Sequence, residues 1–357
     1  MTSLLLAFFT SFITTILIVY TQKLHGGISG DKDFDGPQKF HTTVVPRIGG
    51  LAIGLGFVAS IPFNHLNDAD GMQKIMVLFC AIPAFGIGLT EDLTKKISIR
   101  IRLIFTAFGA LLAYLFLNAQ ITRLDIPSID LALTSPMIAM IFTIFAVTGL
   151  ANAYNIIDGF NGLSSMVGII TLLALGYMGI KFEDTTIVFL SFAMASAILG
   201  FFVLNYPRGL IFLGDGGAYL IGFWVAILSV LLVNRHPEIS PWFALMVNAY
   251  PIMETLFTIY RRKFHQGKSP GHPDGIHFHS LIFRRILNRT RINTELDWFN
   301  ANSRTAPYLW ALSSLAIIPA ILFWHSTHIL IEFFILFTVS YIWLYKKIVT
   351  FKTPNWL

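Results

Sequence analysis

Polar side chains recur at a fixed spacing in a short segment between two apolar runs. Asn152, Asn155 and Asp158 are spaced by three residues, so a helical turn places them on one face. Gly159 and Gly162 follow, and glycine lets a backbone turn tightly and approach a ligand closely. Amides and carboxylates are costly between membrane helices unless they line a wet cavity. The segment therefore predicts a polar site, and an ordinary turn is the alternative interpretation.

Three further acidic residues have the chemistry of a cation site. Glu91 and Asp92 are adjacent at the end of an apolar run, where their charges repel unless a cation or a basic group lies between them. Asp215 lies in a Gly-Asp-Gly-Gly sequence, where amides at the start of a helix attract phosphate. Its carboxylate suits a hard cation that bridges this phosphate. The alternatives are a charged helix end for the first pair and a simple helix cap for Asp215.

Two alternating histidines, His277 and His279, lie in the largest polar loop between clusters of basic residues. Zinc is one interpretation, but the loop has no Cys partner, and the nearby acids favour Mg²⁺ or Mn²⁺. The dense cationic and imidazole donors indicate anion binding, with phosphate as the natural candidate. An anchor at the membrane surface explains three of the basic residues equally well, Arg261, Arg262 and Lys263.

The elements that must position these residues are apolar almost throughout. Hydrophobic residues make up 55% of the 357-residue chain and charged residues only 12%, which excludes a soluble protein with a single core. Because every backbone group in lipid must be paired internally, the long apolar runs predict helices. The fold class is therefore all-α, a polytopic integral membrane protein with about 11 transmembrane helices. The runs cover residues 4–20, 48–62, 75–89, 99–117, 137–150, 163–180, 186–204, 217–233, 242–260, 308–324 and 329–345.

The distribution of Lys and Arg predicts the orientation of the chain. An external N-terminus and a cytosolic C-terminus leave four of the 25 basic residues outside, Lys74, Arg123, Lys181 and Arg235. The basic residues lie at membrane ends rather than in one soluble patch, so the net charge of +6 does not indicate a nucleic-acid partner. The cytosolic loops that form the predicted active site are 21–47, 91–102, 150–162, 205–216 and 261–306.

In this order and spacing, the polar segments resemble the polyprenyl-phosphate N-acetylhexosamine-1-phosphate transferase family (glycosyltransferase family 4). The closest subgroup is the bacterial undecaprenyl-phosphate GlcNAc-1-phosphate transferase branch, and the phospho-MurNAc-pentapeptide transferases are a more distant alternative. The resemblance implies one membrane-embedded transferase domain, 1–357, in the bacterial cytoplasmic membrane. It implies transfer of a sugar-1-phosphate from a UDP-N-acetylhexosamine to undecaprenyl phosphate, with release of UMP. This reaction begins O-antigen, enterobacterial common antigen or teichoic-type polysaccharides.

The resemblance also assigns a role to individual residues. It implies catalytic functions for Glu91, Asp92, Asp158, His277 and His279. It implies nucleotide or sugar contacts for Asn152, Asn155, Asn161, Asn205 and Phe212, of which Phe212 stacks on uracil. It implies contacts to the lipid phosphate or the pyrophosphate for Lys39, His41 and Arg47. The implied cofactor is Mg²⁺ (or Mn²⁺), with Asp215 and Asp92 as the metal ligands.

Three positions depart from the family pattern, Glu91, Asn161 and Ser280, which stand where the family commonly has Asp, an acid and His. A transporter is a rival interpretation, but transporters place polar breaks near the bilayer midplane, whereas these motifs cluster at one face. An aromatic prenyltransferase is a second rival, but that class carries a pair of Asp-x-x-x-Asp runs, and this sequence does not have such a pair. The expected partners are the two substrates and the lipid bilayer, and a homodimer is compatible with the sequence.

Overall fold

A computed structural model describes residues 1–31, 44–61, 69–265, 267, 275–287 and 295–350. The predicted site residues Lys39 and His41 lie outside this part of the chain. The described residues are helical except for turns, short connections and one small two-stranded antiparallel sheet. Its strands are Gly30–Asp31 (β1) and Val45–Pro46 (β2), which pair Gly30 with Pro46 and Asp31 with Val45.

The helices follow the apolar runs and begin at residues suited to helix starts. Proline is the first helical residue of three of them, where its missing N–H is not needed. In chain order, the first ten helices are α1 Thr2–Tyr20, α2 Gln22–Ser29, α3 Gly49–Ser60, α4 Ala69–Thr94, α5 Ile99–Leu117, α6 Pro127–Leu133, α7 Pro136–Ile157, α8 Leu163–Lys181, α9 Thr185–Asn205 and α10 Gly214–Arg235. The others are α11 Pro241–Val247, α12 Ala249–Tyr260, α13 Phe278–Ile282, α14 Glu295–Leu322 and α15 Thr327–Val349, with π-helical turns at Arg261–His265 and Phe283–Leu287.

In its described residues each of the eleven apolar segments is mainly helical, which confirms an all-α polytopic membrane protein, but not all of them are straight spans. Within the described ranges, nine helices are long and apolar enough to cross a membrane, and a bent pair brings the number to ten. The segment 48–62 forms α3, which has 12 residues. At 1.5 Å per residue it is about 18 Å long, shorter than a hydrocarbon core of about 30 Å. The described residues thus contain nine or ten candidate spans, against about eleven predicted from the sequence.

The bent pair is α11 and α12, which meet at 76° around Asn248. Pro251 has no N–H to donate to the carbonyl oxygen of Val247, four residues earlier, so the helical ladder is interrupted there. Thr171 Oγ1 donates to this carbonyl oxygen at 3.2 Å. Asn248 Nδ2 donates to the carbonyl oxygen of Ala244 at 3.0 Å. Side chains thus replace the missing backbone hydrogen bonds in the membrane interior.

Helix α10 is the centre of the bundle, and glycines bring its first turn close to two neighbouring helices. A Cβ on Gly88 of α4 would lie 2.7 Å from the Cα of Gly216. A Cβ on Gly50 of α3 would lie 2.5 Å from the Cα of Gly217. Only residues without a side chain allow backbones to approach this closely. The start of α10 is therefore fixed against α3 and α4.

The ends of the helices that carry the polar segments meet at one end of the bundle, which we call the site face. The ends of α4, α7 and α9 join the starts of α5, α8 and α10 there, because residues 92, 155 and 215 are linked by hydrogen bonds. At the opposite face, Arg235 at the end of α10 forms an ion pair with Asp184 at 3.0 Å. The predicted loops 91–102, 150–162 and 205–216 therefore share one face.

Candidate active site

A buried carboxylate closes the start of α10. Asp92, in the last turn of α4, accepts hydrogen bonds from the backbone amides of Asp215 and Gly216, both at 2.8 Å. These amides belong to the first turn of α10, where N–H groups lack helical partners and the helix dipole is positive. Gly214 has a φ of 75°, and a Cβ there would lie 2.6 Å from Asp92 Oδ2. The close approach of Asp92 to α10 thus requires glycine at this turn.

Cationic and amide donors surround the carboxylate of Asp215. Arg47 Nη2 lies 3.5 Å from Asp215 Oδ1, and Arg102 forms an ion pair with Oδ2. Asn155 Nδ2 donates to Oδ1 at 3.0 Å. Arg47 also donates from Nε to Asp92 Oδ1 at 3.2 Å, so one guanidinium group links both carboxylates. A cluster of this kind offers oxygen ligands to a cation and charged donors to phosphate.

The segment after α7 adds a third carboxylate to this region. Burial of its carboxyl raises the pKa of Asp158 from 3.8 to about 7, against the opposing effect of the positive charge of Arg47. A carboxyl group with a pKa near neutrality is suited to proton transfer. Nearly two helical turns earlier, Asn152 Oδ1 accepts a hydrogen bond from the hydroxyl of Tyr219 at 3.0 Å. Asn152 and Asn155 thus both contact α10, as expected for residues on one helical face.

The histidines of the large loop reach this segment from the side. The ring of His277 stacks on that of His279, with centroids 5.1 Å apart and an angle of 15° between the planes. A Cβ on Gly159 would lie 2.8 Å from His279 Nε2, so glycine leaves the room that the imidazole occupies. Phe160 packs edge-on against His279 at 5.5 Å. The predicted motif around 277–279 therefore lies against the motif around 158–160.

Two of the predicted sugar or nucleotide contacts form hydrogen bonds between loops. Asn205 Oδ1 accepts from the amide of Gly162, and Asn205 Nδ2 donates to the carbonyl oxygen of Ile211, both at 2.7 Å. Asn161 Nδ2 donates to the carbonyl oxygen of Pro207 at 3.2 Å. Both asparagines are buried. In this structure they hold the 159–162 turn against the connection from α9 to α10.

Two other predicted residues take part in local backbone contacts. The amide of Phe212 donates to the carbonyl oxygen of Pro46 at 2.8 Å, and its own carbonyl oxygen accepts from Gly49 at 3.0 Å. These bonds attach the loop before α3 to the loop before α10. Glu91 Oε2 accepts from the amide of Ile97 at 2.6 Å, which closes the turn between α4 and α5. Glu91 and Asp92 are adjacent in sequence, but only Asp92 contacts α10.

The structure thus brings together Arg47, Asp92, Asn155 and Asp215, with Asp158 electrostatically coupled to Arg47. Three further residues that contact predicted site residues were not singled out from the sequence, Arg102, Tyr219 and Glu254. Arg102 could have been predicted from the sequence, because it lies within the predicted active-site loop 91–102. Glu254 is the one acid in the apolar segment 242–260, which was a signal for the last. The sequence offers no comparable signal for Tyr219.

The donor chemistry of this cluster fits a magnesium ion shared with a substrate. Among the residues that the structure describes, no three His, Cys, Asp or Glu side chains form a metal-binding group. Mg²⁺ needs no such group, because it is commonly held by one or two carboxylates, water and substrate phosphates. Asp215 supplies a suitable carboxylate. The oxygens of Asp92 accept from two amides and Arg47, so Asp92 is better suited to support Asp215 than to act as the first ligand.

The fold defines a polytopic membrane protein with acidic and cationic side chains clustered at one face, and comparisons with known proteins give its family. The profile described as glycosyl transferase family 4 matches residues 74–233. The undecaprenyl-phosphate alpha-N-acetylglucosaminyl 1-phosphate transferase of Escherichia coli O157:H7 is 30% identical over 280 residues, 76% of this chain and 74% of the relative.

Two more relatives are similar to this chain over a comparable share of its length. The probable undecaprenyl-phosphate N-acetylglucosaminyl 1-phosphate transferase of Bacillus subtilis (strain 168) is 28% identical and covers 79% of this chain and 78% of its own length. An undecaprenyl-phosphate alpha-N-acetylglucosaminyl 1-phosphate transferase of Thermotoga maritima is 28% identical, over 78% of this chain and 80% of the relative. The chain belongs to glycosyl transferase family 4.

Proposed function

We propose that this membrane transferase moves an N-acetylhexosamine 1-phosphate from a UDP-sugar to undecaprenyl phosphate. The products are undecaprenyl-diphospho-sugar and UMP. The observation that carries the proposal is the carboxylate of Asp215, held at the start of α10 between Arg47, Arg102 and Asn155 at one face of the bundle. A lipid and a soluble substrate can meet only at a membrane surface. The names of the relatives in Escherichia coli, Bacillus subtilis and Thermotoga maritima support this choice of substrates.

The proposal includes the placement of the whole chain. Residues 1–357 form a single transferase domain in the bacterial cytoplasmic membrane, with the loops 21–47, 91–102, 150–162, 205–216 and 261–306 on the cytosolic side. The asymmetry of basic residues supports this orientation. The reaction is then the first membrane step in the synthesis of a cell-surface polysaccharide.

The proposed reaction exchanges one phosphoanhydride bond for another. An oxygen of the lipid phosphate attacks the phosphorus that carries the sugar, and the bond from this phosphorus to UMP breaks, so UMP leaves with the bonding electron pair. Both reactants are anionic, and charge repulsion is the main part of the barrier. Arg47 and Arg102 reduce it by holding phosphate oxygens. His279 can donate a further hydrogen bond from the side of the 159–162 turn.

A divalent cation belongs to this proposal as a ligand of Asp215. Bound there, Mg²⁺ or Mn²⁺ would neutralise the negative charge that develops on the phosphate oxygens. Asn155 and Asp92 orient Asp215 through the hydrogen bonds described above. The lipid phosphate is mostly deprotonated near pH 7, so a strong base is unnecessary. With a pKa of about 7, Asp158 is suited to accept the remaining proton, and its burial is the cause of that value.

The test is UMP release by the purified protein with undecaprenyl phosphate and a panel of UDP-sugars, with and without Mg²⁺. The panel contains UDP-GlcNAc, UDP-GalNAc and UDP-MurNAc-pentapeptide. We expect release with an N-acetylhexosamine donor, dependence on Mg²⁺, and exchange of labelled UMP into the UDP-sugar, because the bond made equals the bond broken. Activity with the pentapeptide donor alone would move the chain to the peptidoglycan branch. Absence of exchange by an active enzyme would contradict direct transfer.

A further inference from the structure

An acidic side chain is buried in the membrane part of the bundle, away from the cluster around Asp215. Glu254 lies in α12, just after the bend at Asn248, and its exposed fraction is 0%. A buried carboxylate in a membrane helix is strongly unfavourable unless it is paired and hydrogen-bonded. The family resemblance assigns no role to Glu254, and the cluster around Asp215 does not contact it. The function of Glu254 must therefore be inferred from its own contacts.

Three donors from two other parts of the chain converge on this carboxylate. Oε1 accepts from His277 Nδ1 and from the backbone amide of Phe278, both at 3.1 Å. Oε2 accepts from the hydroxyl of Tyr341, in α15, at 2.9 Å. Glu254 thus joins α12, the start of α13 and α15 at one point. The side chain of the N-cap residue His277 does not accept from the first amides of α13. Glu254 instead accepts the hydrogen bond from the amide of Phe278, the first residue of this helix.

These contacts determine the tautomer and the orientation of the His277 ring. An ionised carboxylate only accepts hydrogen bonds, so His277 Nδ1 must carry a proton to donate to Glu254. Thr258 Oγ1, one turn after Glu254, lies 3.3 Å from the same nitrogen. The ring of His277 is then fixed in tautomer and in orientation, as in other carboxylate–histidine pairs. It stacks on His279, whose Nε2 lies against Gly159.

We propose that Glu254 is a positioning residue for the transfer reaction, which acts by fixing His277 and the start of α13 so that His279 is held against the turn at Gly159. The inference rests on the proposed function, since His279 has a role only if this turn borders the substrate phosphates. Glu254 itself touches neither substrate. Its removal affects catalysis through the histidine pair, and an intact histidine pair is required for its effect.

A double-mutant cycle tests this dependence. We expect Glu254→Gln to lower kcat about 10- to 100-fold, with the KM for the UDP-sugar changed less than about threefold. In a His277→Ala background, the same change should lower kcat by less than about threefold, because the group through which Glu254 acts is already gone. Equal losses in the two backgrounds would assign Glu254 a purely structural role. Wild-type kcat in Glu254→Gln would also overturn the proposal.

Tyr341→Phe is a milder variant, which removes one hydrogen bond to Glu254 and leaves the carboxylate in place. We expect it to lower kcat in the same direction as Glu254→Gln but by a smaller factor. Glu332→Gln is the matched control, because Glu332 is an exposed carboxylate in the same helix, α15, as Tyr341. The control should leave kcat unchanged. Equal losses in Tyr341→Phe and Glu332→Gln would contradict a specific role for the contact.

A second measurement does not depend on the transfer reaction. Carbethoxylation of His277 and His279 by diethyl pyrocarbonate, followed by mass spectrometry of the peptide, reports how firmly the pair is held. We expect faster modification in Glu254→Gln and Tyr341→Phe than in the wild type and in Glu332→Gln. Unchanged modification in both test variants would overturn the positioning role. If the wild type released no UMP with any donor, the proposed function would fail while this readout still tested the contact.

Discussion

Asp215 combines two properties in one side chain at the site face. Its carboxylate is an oxygen ligand for a hard cation, and it is contacted by two guanidinium groups that can also bind phosphate. A bound cation would therefore compete with Arg47 and Arg102 for the oxygens of Asp215, and a diphosphate would compete with Asp215 for the two guanidinium groups. We infer that the arginines neutralise Asp215 without substrate and contact phosphate oxygens when substrate is present.

At this residue, Asp215→Asn should lower turnover at least about 100-fold, because it removes the proposed cation ligand and the partner of both arginines. The amide keeps the shape of the side chain, so the midpoint of thermal unfolding in detergent should change little. Glu238→Gln is the control, since Glu238 is an exposed acid beyond the opposite end of α10. The measurement is UMP release. Wild-type turnover in Asp215→Asn would remove Asp215 from the cation site.

For Asp158, a pH-dependent gain in stability should accompany a loss of activity in Asp158→Asn. Burial raises the pKa of Asp158 from 3.8 to about 7. At a pH between 3.8 and about 7, the carboxyl is therefore protonated in the folded state and ionised in the unfolded state. The carboxyl therefore lowers stability as pH rises from about 4 to above 7. We expect Asp158→Asn to unfold at a higher temperature than the wild type at pH 8, with a difference that shrinks towards pH 4. A constant difference across this range would contradict a pKa near 7.

The sequence predicts the residue types of the site better than their individual tasks. The spacing of Asn152 and Asn155 correctly placed both on the face that contacts α10. The hydrogen bond from Asn161 to the carbonyl oxygen of Pro207 joins residues 46 positions apart, which no local spacing reveals. Glu254 was missed for a similar reason, because its partners come from a loop and from α15. Roles that depend on tertiary contacts can be assigned only from the structure.

Among the helices, the contact of α4 with α10 sets the position of Asp92. Gly88→Ala should separate these helices, since a Cβ on Gly88 would lie 2.7 Å from the Cα of Gly216. Asp92 would then lose its hydrogen bonds to the first amides of α10, and both UMP release and thermal stability should fall. Overpacking of a tight contact typically lowers stability by about 1–3 kcal/mol.

Gly86→Ala is the matched control for this contact. Gly86 lies in the same helix, and a Cβ there would have no atom within 4 Å. Alanine is also the better helix former, so this variant should be as active as the wild type and at least as stable. Similar losses in Gly86→Ala and Gly88→Ala would show that the contact with Gly216 is not the cause.

The sequence predicts the helices well because apolar runs of membrane length permit little else. It does not reveal the bend between α11 and α12, since the run 242–260 is apolar on both sides of Asn248. The bend depends on Pro251 and on Thr171, which lies in a different helix and satisfies the interrupted ladder. A proline alone is compatible with a straight, bent or broken helix. The partner that stabilises the break is a tertiary contact.

For the whole molecule, the proposed orientation predicts which loops are accessible from each side of the membrane. The chain has a single cysteine, Cys80, which is fully buried, so an introduced cysteine should dominate the labelling. In spheroplasts, a membrane-impermeant maleimide should label Glu238→Cys, while Arg208→Cys should react only after the membrane is opened. Both positions are exposed. The reverse pattern would put the site face outside the cell.

The enclosure of α10 has a consequence for how the protein responds to its bilayer. In its most apolar stretch, 94% of the residues of α10 are buried within the protein, against 17% for α15. A change in lipid chain length acts first on helices that touch lipid, which tilt or shift to reduce hydrophobic mismatch. Thinner or thicker membranes should therefore alter how the proposed polyprenyl substrate enters, while the affinity of the proposed cation site for Mg²⁺ should stay nearly constant.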